Sequence, residues 1–134
     1  MLEWKEEFTV GYDKFDNQHK EWIRIINKLE EVIKDETIHP DILFDEVNNV
    51  FDEILDYTEF HFKNEEEDFE KSDYELIEEH KEIHENYIAN VKHEMSKFHA
   101  GKDERKTAKE IYDSLVEWLL RHIMGEDKKY SGKL

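Results

Sequence analysis

WLLRHIMGED, residues 118–127, reads as the closing turns of an amphipathic helix whose buried face ends in polar residues. Leu115, Trp118 and Leu119 step along one face at helical spacing. The next step on that face is His122, where another apolar residue would continue the stripe. Asp127 follows five positions later, which on an ideal α-helix is about 140° of rotation and about 7.5 Å of rise. Asp127 can rejoin the histidine face only if the backbone departs from α geometry between them. Gly125 is where that departure costs least. A widened π-type turn or a helix end is therefore expected around Met124 to Glu126.

Three further segments carry the same period. The first runs from about Asn17 to Lys34, with Trp22, Ile25, Ile26, Leu29 and Val32. The second starts near Asp41, just after the single Pro40, and carries Val47, Val50, Phe51, Ile54 and Thr58. The third opens on the capping-box pattern Ser72-Asp73-Tyr74-Glu75 and continues through Ile77, Tyr87, Val91, Met95 and Phe98 to a stop at Gly101. The fourth begins near Asp103 with Ala108 and Ile111, and residues 118–127 close it. Four Gly and one Pro in 134 residues leave few turns, so long helices with short loops are favoured over a many-stranded sheet. Short connections make neighbours antiparallel. The expected fold is all-α, an up-down-up-down four-helix bundle over about residues 17–130 of one domain, 1–134. Residues 1–16, with Trp4, Phe8, Tyr12 and Phe15, form an N-terminal arm packed against it.

Charge and composition remove several classes of function. A net charge of −17 makes phosphate backbones and anionic membranes poor partners. The absence of cysteine excludes disulfides, thiol catalysis and thiolate metal sites. No apolar run has signal-peptide or bilayer-spanning length. A monomeric, cytoplasmic protein with no nucleic-acid partner and no membrane insertion is expected.

The eight histidines are not scattered evenly. His61 extends the stripe of Val47, Val50, Ile54 and Thr58, and Glu65 lies one further turn along the same face. His80 and His84 interrupt the third stripe, His122 the fourth, and His19 opens the first. His39 sits beside Pro40 in a loop, His93 turns to solvent, and His99 is roughly 22 Å along its helix from His84. One buried histidine ordinarily finds a hydrogen-bond partner. Five imidazoles and a carboxylate facing one interior would each cost about 1–3 kcal/mol if left unpaired, and metal ions remove that cost by taking the lone pairs. Five histidines exceed one tetrahedral zinc site. HExxH is absent, and the only Glu-x-x-His spacing, Glu36…His39, runs into proline, which disfavours a carboxylate-rich di-iron oxidase. An imidazole-rich site by itself suits iron, copper, zinc or nickel.

DNQHK with His19, HFKNEE with His61 and Glu65, HKEIH with His80 and His84, and HIMGED with His122 and Asp127 reproduce an ordered pattern, H…HxxxE…HxxxH…HxxxxD. In these residues the chain resembles the hemerythrin family, and in length its single-domain bacteriohemerythrin-like members. The resemblance implies two iron ions, oxo- or hydroxo-bridged. His80, His84 and His122 would hold one, His19 and His61 the other, and Glu65 and Asp127 would bridge them. It further implies reversible dioxygen binding, end-on to the two-histidine iron as hydroperoxide, for carriage, storage or delivery. Trp22, Phe62, Trp118, Leu119 and Ile123 would line the oxygen pocket, and Tyr130 would hydrogen-bond near the centre. No residue stands out as an added acid or base, so a binding protein rather than an enzyme is expected. An oxygen or redox sensor and a peroxidase-like redox enzyme on the same centre are the alternatives.

Overall fold

The computed structural model describes residues 1–100 and 103–134. Four α-helices follow one another: α1 (Asp13–Lys34), α2 (Pro40–Lys71), α3 (Ile77–Ala100) and α4 (Glu104–Arg121). Each packs on the next, and α4 closes back onto α1, which is the up-down-up-down bundle expected from the stripes. The stripes supply the core: Trp22, Ile26 and Leu29 from α1, Val47, Phe51 and Ile54 from α2, Val91 and Phe98 from α3, and Ile111, Leu115 and Leu119 from α4 are all buried. Val32, Met95 and Trp118 are only partly buried, at the margin of that core. No helix among the described residues is long and apolar enough to cross a membrane.

Helix starts follow local chemistry. Pro40 occupies the first turn of α2, and the His39 ring Nδ1 caps it by accepting from the Asp41 amide at 3.2 Å. Asp103 caps α4 by accepting from the Lys106 amide at 3.1 Å. Helix α1 begins at Asp13, four residues earlier than the stripe suggested, so Phe15 belongs to a helix and not to the arm. Asp13 and Asp16 in its first turn complement the helix dipole. Asp16 also anchors the arm, accepting from the Thr9 hydroxyl at 2.5 Å and the Val10 amide at 2.8 Å.

The capping box expected at Ser72 does not form. Ser72 ends α2, its amide bonded to the carbonyls of Asp68 and Glu70. Asp73 then takes a left-handed conformation, φ 50°, and the Tyr74 amide returns to the Phe69 carbonyl at 3.0 Å. Burial of Tyr74 beside Phe69 fixes this reversal, and α3 starts only at Ile77. Gly101, the expected stop of α3, lies outside the described residues.

The core divides in two. A large apolar cluster fills most of the bundle, and a small one of Val10, Phe15, Phe69, Tyr74 and Tyr130 closes one end. Between them lies a polar layer.

Candidate metal centre

The polar layer consists of His19 from α1, His61 and Glu65 from α2, His80 and His84 from α3, and His122 and Asp127 from the segment after α4. All seven are buried. The spacing of four within α2 and within α3 puts each pair on one inward face. Apolar rings pack against the layer on both sides: Phe62 stacks on His84 with centroids 3.7 Å apart, and Phe69 lies 4.7 Å from His80.

The last two residues are brought together by a change of helix. After Arg121 the backbone forms a π turn over His122–Glu126, followed by a 3-10 segment, Asp127–Tyr130. The Asp127 amide bonds to the His122 carbonyl, five residues back. Residues five apart then stack as residues four apart do in an α-helix, so Asp127 returns to the histidine face. The expected π turn is present, with Gly125 inside it. Gly125 has no positive φ, and a Cβ there would meet nothing within 4 Å.

The seven side chains fall into two overlapping groups. Glu65, His80, His84, His122 and Asp127 form one, and His19, His61, Glu65 and Asp127 the other, with donor atoms in each group within 4.8 Å of one another. Glu65 and Asp127 belong to both. Asp127 Oδ1 lies 3.0 Å from Nε2 of both His80 and His122, while its Oδ2 lies 3.0 Å from Nε2 of His19. Glu65 Oε1 lies 3.3 Å from Nε2 of both His61 and His84. Donor atoms around an ion at about 2.1 Å stand about 3.0–3.4 Å apart along octahedral or tetrahedral edges.

Hydrogen bonding leaves the centre unsatisfied. Nε2 of His80, His84 and His122, Glu65 Oε1 and both Asp127 oxygens crowd one another at 3.0–3.3 Å, yet none of them makes a contact of hydrogen-bond geometry among the described residues. The Nε2 atoms of His19 and His61 face each other at 3.0 Å, and at most a single proton sits between two neutral imidazoles there. An unpaired buried group is costly, whereas a cation at each group would take these lone pairs directly. The donor set thus fits a pair of metal ions. Burial disfavours the charged form of Asp127, but His122, His19 and His80 outweigh it and hold the carboxyl well below its usual range. Burial and the nearby Asp127 likewise oppose ionisation of Glu65, and His61 and His84 reverse this.

Outside the seven, three residues orient them. Gln18 Oε1 lies 2.6 Å from His61 Nδ1, and Glu66 Oε2 lies 2.9 Å from His84 Nδ1. Such outer partners fix which ring nitrogen faces a metal. The Tyr130 hydroxyl donates to Glu65 Oε2 at 2.6 Å, as expected of it. Gln18 and Glu66 escape sequence reasoning: each simply adjoins a candidate ligand, and Glu66 sits in an acidic run that offers no distinguishing spacing. His39, His93 and His99 are exposed and lie outside the centre. Of the five expected pocket residues, Trp22, Phe62, Leu119 and Ile123 are buried, and Trp118 is half-buried with its ring 6.1 Å from Tyr87.

Known proteins share both sequence and fold with this chain. A family model described as the hemerythrin HHE cation binding domain matches residues 10–134. The chain is 34% identical to a bacteriohemerythrin of Clostridium acetobutylicum over 130 residues, covering 97% of this chain and 98% of that one. It is 33% identical to a myohemerythrin of Theromyzon tessulatum over 132 residues, covering 98% and 92%. A crystal structure of wild-type hemerythrin superposes with a TM-score of 0.81 at 27% identity, covering 100% of this chain and 98% of that one.

Proposed function

The chain belongs to the hemerythrin family, and from that premise we propose that it binds dioxygen reversibly at a pair of iron ions. One observation carries the reading: two donor groups share both carboxylates but divide the five histidines three against two. His80, His84 and His122 would hold one ion, His19 and His61 the other, and Glu65 and Asp127 would span both. The smaller histidine count leaves one ion with an open position for a ligand. When bound, the ion pair supplies the electrons that dioxygen takes up and gives back.

The chain's own residues set the conditions for return. Two carboxylates against five neutral imidazoles keep the negative charge low, which favours the reduced metal over the oxidised. Gln18 and Glu66 hold His61 and His84 so that Nε2 faces inward. Trp22, Phe62, Leu119 and Ile123 exclude water, with Trp118 covering them from the partly exposed side. Tyr130 keeps Glu65 in place from the opposite end.

The test is a spectroscopic cycle. The iron-loaded protein is reduced without air, exposed to dioxygen, and then purged, with visible spectra at each stage. Charge-transfer bands that appear and vanish over several cycles are the expected result. A single irreversible passage to the oxidised state would refute reversible binding and favour redox signalling or catalysis at the same centre.

A further inference from the structure

Two hydrogen-bond donors in the large apolar cluster stand unpaired among the described residues. The Trp22 indole N–H and the Tyr87 hydroxyl are buried and lack a partner among the described residues. They are close neighbours, with ring centroids 5.6 Å apart. Trp22 lies against the two-histidine group, its ring 5.2 Å from His61 and 6.4 Å from His19, and Tyr87 adjoins it at the boundary with the other group, its ring 6.0 Å from His122. Phe62 stands edge-on to both, 5.5 Å from Trp22 and 5.6 Å from Tyr87. Phenylalanine at position 87 would fill nearly the same volume without burying a hydroxyl. Each unpaired buried donor costs on the order of 1–3 kcal/mol. Two of them side by side point to an acceptor that the chain itself does not provide.

We propose that Tyr87 and Trp22 donate hydrogen bonds to a small acceptor occupying the open position of the centre, so that this pocket retains its ligand by polar contact as well as by apolar enclosure. The proposal rests on the dioxygen-binding reading and adds a specificity to it. The favoured ligands are two- or three-atom species with an electron-rich terminal atom, such as reduced dioxygen or azide. A neutral ligand that accepts hydrogen bonds poorly, such as carbon monoxide, gains nothing from the two donors. Both residues act on the ligand and do not need to touch the metal.

Sodium azide is the probe, added to the oxidised, iron-loaded protein and to its Tyr87→Phe and Trp22→Phe variants. Three quantities are read: the azide dissociation constant, the azide antisymmetric stretch in H2O and D2O, and the thermal midpoint of Tyr87→Phe without azide. The wild-type stretch is expected to shift on deuteration, and each variant to lose part of that shift. Tyr87→Phe is expected to weaken azide binding about tenfold, the effect of one net hydrogen bond, while its azide-free thermal midpoint is unchanged or raised. Wild-type affinity and wild-type stretch in both variants would overturn the proposal and leave the two donors to trapped solvent. Weaker binding accompanied by a lower azide-free midpoint in Tyr87→Phe would mark a packing role and overturn it as well. Wild-type protein that loads iron yet binds neither azide nor dioxygen would overturn the functional reading and this inference together. Each variant reads independently, so a failure of one to fold leaves the other decisive.

Discussion

Tyr130 shows how much one hydroxyl can hold. It reaches Glu65 from the C-terminal 3-10 segment, and its ring packs 5.7 Å from Phe15 and 5.3 Å from Phe69. Burial, then the charges of Glu65 and Asp127, push its phenol far above the ordinary range, so it remains a neutral donor. Tyr130→Phe keeps the packing and strips Glu65 Oε2 of its donor. The iron-free variant is expected to lose about 1–3 kcal/mol, read as a lower urea midpoint at unchanged slope. An unchanged midpoint would mean that this hydrogen bond carries no net stability. The seven residues of the polar layer were legible because their types and spacings are chemical statements: imidazoles on apolar stripes have few reasons to be there. The orienting residues were not. Gln18 bonds across to α2 and Glu66 across to α3, and such partnerships exist only after the helices have docked.

At the scale of the element, the decisive piece is the π turn at His122–Glu126. A spacing of five was readable as a demand for irregular backbone, and the demand was met where expected. The backbone is helical at both ends of the turn, and neither a left-handed angle nor a close approach requires glycine at position 125. A testable consequence concerns length. Deleting Met124, which is exposed, shortens the spacing of the two donor positions from five to four, so an ordinary α turn places Asp127 on the same face. The deletion variant is expected to keep the wild-type iron content per chain. Inserting one alanine after Met124 is expected to lower it, since the carboxylate then rotates away. Equal iron content in both variants would show that Asp127 is dispensable. The start of α3 was not legible for a similar reason. The Ser72–Glu75 pattern satisfies a capping rule locally, but burial of Tyr74 and the left-handed Asp73 settle that stretch as a reversal.

At the scale of the molecule, the four stripes were enough to give the bundle, since each helix needs one apolar face covered and short loops leave one way to do it. The first residues of the chain are held by contacts that no periodicity marks. Asn27 holds both the amide and the carbonyl of Leu2, at 3.1 and 2.7 Å, and Tyr112 joins it from α4 at 3.2 Å. Next to this clasp, Glu30 is lowered to about 2, first by Lys34 and then by Tyr112. Its folded value lies below its unfolded one, so its contribution is complete above the ordinary carboxylate range near 4.5 and fades as pH falls towards about 2. Wild-type protein is therefore expected to be more stable than Glu30→Gln at neutral pH, with the gap narrowing steadily on acidification below about 4.5. A gap independent of pH, measured by urea titration, would remove Glu30 from the acid response. The polar layer has a topological consequence too. Its donors run from residue 19 near the start of the chain to residue 127 near its end, in a protein without cysteine. Ions seated there would act as a reversible cross-link closing a loop of about 100 residues, and covalent closure of such a loop restricts the unfolded chain by about 5 kcal/mol. Unlike a disulfide, this staple is fastened by metal supply rather than by oxidant.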